Sequence, residues 1–364
     1  MSTEKISKNF KSAAEKGSGN WGETEYGFNT GLVHAGVLPD PTTGAVLTPI
    51  YQSTTFIQES IDKYCEKGFS YTRSANPTVQ ALEHKIAAAE NAEAGCAVFT
   101  TGMAATCSVV ASFMSKGDHA VVSNCSYGGT NRAMRVLFAK FGMEFTFIDM
   151  TDVENVVKNL KDNTKIIFTE SPANPTLTLA DLSAISKVAT EKKILHVCDS
   201  TFATPVICRP FDHGVDIVLQ STTKFYDGHN ITVGGAVLAK SAERMAEIRL
   251  TQNILGSAMS PQVAFYQLQT MKTMKLRVTQ QSNNAQKVAE FLETHPKVDK
   301  VCYPGLASHP QKALADKQHR NGLHGGMLWF EVKGGTAAGR KLMDTAQKPW
   351  CLCENLGASE SIIT

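Results

Sequence analysis

From residue 78 onward the chain alternates two hydrophobic spacings. Residues 78–90 place Ala81, Leu82, Ile86 and Ala89 on one face of a helix. Short continuous apolar runs then recur at 97–100, 120–123 (AVVS), 144–149 (EFTFID), 165–169 (KIIFT), 194–199 (ILHVCD), 215–219 (VDIVL) and 236–239. Between them lie helical patterns at 102–115, 130–141, 153–160 and 182–191. Strands of this length separated by helices predict βαβ units. Runs without alternation predict strands covered on both faces, as in a mostly parallel sheet. Near residue 256 the pattern changes. Residues 261–274 and 278–295 read as long helices, 300–303 and 326–332 as strands, and 336–346 as a helix. That predicts a second, smaller α+β domain.

Composition narrows the class. The chain has 364 residues, a soft prior of two domains. Apolar residues make up 42% and charged residues 19%, an ordinary globular mix. Lys and Arg number 36 against 34 Asp and Glu, a formal charge of +2. This balance argues against nucleic-acid binding through a basic excess and against an acidic disordered chain. Nine cysteines form no C-x-x-C, which argues against a zinc ribbon or a thioredoxin-type site and suits a reducing compartment. The polar N-terminus lacks the apolar stretch of a secretory signal. Glu4, Glu15, Glu23 and Glu25 argue against a mitochondrial transit segment, so a flexible cytosolic lead-in is expected. No run of 18 apolar residues occurs, so no membrane span is expected.

Candidate chemistry is sought where open α/β sheets bind ligands, beyond the carboxyl ends of the strands. No G-x-G-x-x-G or G-x-x-x-x-G-K-[ST] follows a strand, which demotes nicotinamide dehydrogenases and P-loop NTPases. After 97–100, Thr101-Gly102-Met103 opens a helix whose free N–H groups suit a phosphate; alone, an ordinary helix start is the better reading. After 194–199 stands Asp199-Ser200-Thr201. The acid suits a protonated ring nitrogen, or a plain N-cap. After 215–219 come Ser221, Thr222, Thr223 and Lys224, with Phe225 next. A desolvated lysine there becomes a nucleophile for an aldehyde, and Ser221 and Thr223 point the same way in extended chain. Alone, a surface lysine is the simpler reading. Together, a phosphate cradle, an acid and a Schiff-base lysine are the parts that pyridoxal phosphate (PLP) needs. His309, His319 and His324 are irregularly spaced and read as loop histidines, so no metal site is expected.

The chain resembles the Cys/Met-metabolism PLP enzymes, the transsulfuration group, from about Thr30 to its last residue. The blocks that carry the resemblance are Tyr71-Thr72-Arg73 with Asn76-Pro77-Thr78, Thr101-Gly102-Met103-Ala104-Ala105 and Tyr127-Gly128-Gly129-Thr130-Asn131-Arg132. They continue with Glu170-Ser171-Pro172-Ala173-Asn174-Pro175-Thr176, Asp199-Ser200-Thr201-Phe202, Ser221-Thr222-Thr223-Lys224 and Tyr303-Pro304-Gly305-Leu306. The resemblance implies the type I PLP-dependent transferase fold, with a mostly parallel seven-stranded sheet between helices and a smaller C-terminal domain. It implies an N-terminal arm over 1–60, a PLP-binding domain over 61–256 and a shortened α+β domain over 257–364. It implies that Lys224 carries the cofactor and moves protons, that Asp199 pairs with the pyridine nitrogen and that Tyr127 stacks on the ring. Gly102, Met103, Ser221 and Thr223 would bind the phosphate, with Thr201 also at the cofactor. Tyr71 and Arg73 would reach in from a neighbouring subunit of a homotetramer, a dimer of dimers. Asn174 would contact the cofactor oxygen and the substrate carboxylate.

Within the group, Gly129 stands where methionine γ-lyases carry cysteine, and Glu354 stands where cystathionine enzymes carry an acid for the distal ammonium. These imply a cytoplasmic cystathionine γ-lyase, forming cysteine, 2-oxobutyrate and ammonia, with hydrogen sulfide release from cysteine as a side reaction. Cystathionine γ-synthase, O-acylhomoserine sulfhydrylase and methionine γ-lyase are the neighbouring activities. A PLP-binding but inactive regulatory subunit, and a structural protein without cofactor, are the alternatives from other classes. Two departures are expected to matter. Asn355 replaces the group's usual serine at the docking place of the substrate carboxylate. The group's carboxylate-clamping arginine has no counterpart before Thr364, which is expected to weaken catalysis. Arg73, Arg132 and Arg277 are the remaining candidates for that cation.

Overall fold

The computed structural model describes residues 26–364. The expected lead-in, the first part of the 1–60 arm, lies outside the described residues. Helix α1 (Phe28–His34) leads, followed by α2 (Pro77–Glu90). Asn76 caps α2 by accepting from Thr78 N–H at 3.0 Å, proline takes its first position, and left-handed Asn91 ends it. Its expected apolar stripe of Ala81, Leu82, Ile86 and Ala89 is buried.

The α/β series follows: β1 (Cys96–Phe99), α3 (Gly102–Phe113), β2 (His119–Ser123), α4 (Gly128–Arg132), β3 (Glu144–Ile148), α5 (Val153–Lys158), β4 (Thr164–Glu170), α6 (Leu182–Lys192), β5 (Leu195–Asp199), α7 (Thr204–Ile207), β6 (Ile217–Gln220) and β7 (Gly235–Ala239). The seven strands form one sheet in the order β1-β7-β6-β5-β4-β2-β3. Only β7 runs antiparallel to its neighbours. Every position of β1, β2, β6 and β7 is buried, which explains their unbroken apolar runs. The fold class expected from the sequence is therefore observed, and it is type I.

One expectation is corrected. Residues 130–141 do not form one helix. After α4 the backbone widens into a π-turn at Ala133–Leu137, tightens into a 3-10 turn at Phe138–Phe141 and stops at left-handed Gly142. The altered pitch buries Met134 and Phe138 while Val136 and Phe141 stay exposed. The three histidines do lie in loops, as expected, but they are not open to solvent. His309, His319 and His324 are buried, and the Nδ1 atoms of His319 and His324 lie 3.1 Å apart. Burial, with His324 beside it, pushes His319 down to about 3.

A 14-residue helix that the hydrophobic pattern conceals, α8 (Ala242–Leu255), follows β7. It buries Met245, Ile248 and Gln252, yet exposes Leu250, Ile254 and Leu255, so apolar residues lie on opposite sides and no single stripe stands out. Then come α9 (Pro261–Thr270), α10 (Met274–Glu293), β8 (Val298–Cys302), α11 (Lys312–Gln318), β9 (Trp329–Val332), α12 (Gly335–Asp344), β10 (Trp350–Leu352) and β11 (Ser361–Ile363). The sheet's own core runs on into this part: Ala264, Leu268, Met271, Met274 and Val278 join its cluster. A small separate core holds Ala285, Ala289, Tyr303 and Leu306. Strands β8 and β9 pair antiparallel, β10 and β11 parallel. Gln311 pins the two parts together, exchanging both amide bonds with the backbone of Leu179 at 2.8 and 2.6 Å.

Candidate active site

Lys224 sits in the turn that leaves β6. Its N–H donates to Ser221 O at 3.2 Å, and its carbonyl accepts from Gly228 N–H at 2.7 Å. Buried Phe225 and Tyr226 anchor the turn below. Arg277 of α10 clamps it from outside, donating to Phe225 O and Thr270 O at 2.9 Å each. The ammonium of Lys224 donates to Asn355 Oδ1 at 2.7 Å. Burial pushes the Lys224 amine below its ordinary value, and the carboxylate of exposed Glu354 opposes that fall.

The neighbouring strand end carries Asp199. Its Oδ1 accepts from the Thr201 amide at 3.0 Å and the Thr201 hydroxyl at 2.6 Å. The same hydroxyl oxygen accepts from Ser221 N–H at 2.8 Å, so Thr201 ties the acid's strand to the lysine's. Burial pushes Asp199 up, and the two Thr201 donors pull it back. One strand further on, Glu170 ends β4 directly opposite Asp199. It is buried, and its two oxygens accept from Tyr127 N–H at 2.7 Å and Asn174 N–H at 2.8 Å. Burial and the neighbouring Asp199 charge raise Glu170.

A cradle lies at the start of α3. Thr101 caps the helix through Ala104 N–H at 2.9 Å, and the first intrahelical bond runs from Ala105 N–H to Thr101 O. The amides of Gly102 and Met103 precede that bond and stay free for a ligand. A Cβ on Gly102 would come within 2.9 Å of the Ser221 side chain, so glycine keeps the gap between them open. The Ser221 hydroxyl has no partner among the described residues. The Thr223 hydroxyl, by contrast, donates to Gly234 O at 3.1 Å and accepts from Gly234 N–H at 3.0 Å. Tyr127 is 50% exposed, and its ring lies over Gly129, where a Cβ would meet both the ring and Met103 Sδ.

The structure thus brings together Lys224, Asp199, Thr201, Ser221, Gly102 and Met103, and it sets Glu354 and Asn355 over Lys224. It does not bring Tyr71 and Arg73 there. Arg73 lies 5.5 Å over the Tyr71 ring and donates to Asn253 O of α8 at 3.0 Å. Of the candidate carboxylate cations, Arg277 is committed to backbone carbonyls and Arg132 is exposed at the end of α4. Sequence reasoning assigned no role to Glu170, and it offered Arg277 as a carboxylate cation rather than as the clamp on the lysine turn. Glu170 stands inside a quoted block, so its position was visible but its task was not.

These residues fit pyridoxal phosphate. A lysine with a depressed pKa suits an aldehyde, a buried acid suits a pyridinium nitrogen, and a glycine-lined helix start with a free hydroxyl suits a phosphate. The comparisons with known proteins agree. The family model for the Cys/Met metabolism PLP-dependent enzymes matches residues 29–364. A cystathionine beta-lyase of Coxiella burnetii is 41% identical over 337 residues, 92% of this chain and 85% of that relative. An L-methionine gamma-lyase of Fusobacterium nucleatum is 39% identical over 346 residues, 93% of this chain and 86% of that relative. The crystal structure of a cystathionine gamma-lyase from Lactobacillus plantarum complexed with L-serine superposes with a TM-score of 0.88 at 37% identity, covering 93% of this chain and 86% of that one. With the cofactor-shaped site and a match along nearly its whole length, this chain belongs to the Cys/Met-metabolism family of PLP-dependent enzymes.

Proposed function

We propose that this enzyme cleaves L-cystathionine by γ-elimination, taking up water and releasing L-cysteine, 2-oxobutyrate and ammonia. The observation that carries this reading is the placement of Glu354. Its carboxylate acts electrostatically on Lys224 while its side chain stays exposed, where the distal ammonium of a long diamino acid can reach it. A short substrate such as methionine has no second ammonium to pair there. Gly129 beside Tyr127 supports the same choice.

When bound, pyridoxal phosphate accepts the electron pair left when a substrate carbon loses its proton. The chain's own groups do the rest. Lys224 Nζ takes and returns protons between substrate carbons. Asn355 Oδ1 holds that nitrogen in place, and the burial-lowered pKa raises its neutral fraction. Asp199, oriented by Thr201, would hold the ring-nitrogen proton. Gly102, Met103, Ser221 and Thr223 would bind the phosphate, Tyr127 would stack on the ring, and Asn174 would face the substrate carboxylate. We read Tyr71 and Arg73 as ligands supplied to the next subunit of a homotetramer, which agrees with their lying apart from Lys224 within one chain. All nine cysteines carry free thiols, as a reducing cytoplasm would keep them. Among the described residues no helix is long and apolar enough to cross a membrane.

The test is a product analysis of the PLP-loaded protein with L-cystathionine. Cysteine with 2-oxobutyrate, lost in Lys224→Ala, is the expected result. Homocysteine with pyruvate would instead assign β-cleavage. Cystathionine made from an O-acylhomoserine and cysteine, with no cleavage, would assign γ-replacement. A bound cofactor with no turnover of any of these substrates would overturn the enzymatic reading of this chain.

A further inference from the structure

Glu170 occupies the central place of the site without facing its open side. In the sheet β4 lies between β2 and β5. The loop after β2 delivers Tyr127, and β5 ends in Asp199, in register with Glu170. The loop after β4 itself delivers Asn174. All three groups are thus presented within one residue's reach of Glu170.

The bonds are specific. One carboxylate oxygen accepts from Tyr127 N–H at 2.7 Å, the other from Asn174 N–H at 2.8 Å. The side chain is nearly inaccessible, 6% exposed. A second acid, Asp199, is its neighbour across the sheet, so an ionised Glu170 is costly there. A fold retaining a carboxyl at that cost uses something that only a carboxylate provides. The two N–H donors, one on each oxygen, favour the ionised form, which is acceptor-only at both oxygens. A glutamine accepts at one oxygen and turns an NH2 toward the second amide. An aspartate is one methylene too short to reach both.

We propose that Glu170 is a positioning residue: its carboxylate locks the Tyr127 and Asn174 loops together, and so fixes the ring-stacking and carboxylate-facing side chains relative to Asp199. The proposal deepens the functional reading above and rests on it for what Tyr127 and Asn174 do. The clamp itself is independent of substrate identity.

The experiment is amide hydrogen exchange of the full chain, with and without pyridoxal phosphate, for wild type, Glu170→Gln and Glu170→Ala. In Glu170→Gln one of the two amides, Tyr127 or Asn174, should exchange roughly tenfold faster, and in Glu170→Ala both should. Strand amides at 165–168 should keep wild-type protection in Glu170→Gln. In the loaded protein the cofactor band should keep its absorbance through Lys224 and lose circular dichroism, because the ring is no longer held in one orientation. Unchanged protection of both amides in Glu170→Ala would overturn the proposal. So would equal loosening of 165–168 in Glu170→Gln, which would mark a merely structural acid. If wild type binds no pyridoxal phosphate, the functional reading fails while the exchange measured without cofactor still decides the clamp.

Discussion

The reactivity of the site is set by what surrounds single side chains. Lys224 is lowered by burial and partly restored by the Glu354 charge. Only the neutral amine reacts with an aldehyde, so cofactor loading should accelerate as pH rises through the Lys224 pKa. Glu354→Gln removes the opposing charge and leaves burial alone, so the Lys224 pKa falls further. The loading-rate profile of the cofactor-free protein should therefore move to lower pH, by a fraction of a unit because Glu354 is solvent-screened. A profile that stays or moves upward would show that Glu354 does not sense Lys224. At this scale the sequence was legible where chemistry is local. Asp199, Ser221 and Lys224 stand at the ends of consecutive strands, which neighbouring residues announce. Asn355 was marked as a departure, but its bond to Lys224 spans 131 positions and leaves no trace in spacing.

Elements hold the site from behind. Glycine 357 turns the C-terminal segment over Lys224 at φ 85°, and a Cβ there would lie 2.6 Å from Phe225 N. Gly357→Ala should cost about 1–3 kcal/mol. It should also lift Asn355 from Lys224, read as a lower melting temperature together with slower cofactor loading. Below the lysine turn, Glu90 at the end of α2 accepts from Gln220 Nε2 and Tyr226 O–H, both at 2.7 Å, joining α2 to both sides of Lys224. Burial pushes Glu90 up to about 7. Its folded pKa lies above the unfolded value near 4.5, so the folded state binds the extra proton between those values. Its contribution to stability is complete below about 4.5 and is lost as pH rises through about 7. Glu90→Gln should flatten that decline in melting temperature across the window. A decline equally steep in the variant would exclude Glu90 as its source. Elements with one apolar stripe, such as α2, were readable from the sequence. Helix α8 was not, because its second apolar side obscures the period, and the π-turn at Ala133–Leu137 has no signature in spacing.

At the scale of the whole molecule, the described chain holds Lys224 but directs Tyr71 and Arg73 elsewhere. If the site is shared between subunits, as proposed, two inactive variants should complement. Arg73→Ala lacks the ligand it lends, and Lys224→Ala lacks the nucleophile it keeps. Half of randomly paired dimers are then hybrids with one intact site of two, so co-assembled protein should recover about a quarter of wild-type activity. No recovery after verified co-assembly would place the whole site in one chain.

What the sequence determined by itself was the class of architecture and the cofactor. Strand-length apolar runs between helical stripes dictate a covered parallel sheet, because a strand buried on both faces tolerates no polar alternation. The chemistry-bearing residues fall at the strand ends, where such sheets bind ligands. Only the tertiary structure decided which distant groups meet there. Glu170 finds Tyr127 through the neighbouring β2, Asn355 finds Lys224 through the C-terminal segment, and Arg277 finds Phe225 O through α10. Those contacts follow from strand order and helix packing, in which residues far apart in sequence become neighbours, and no local spacing records them.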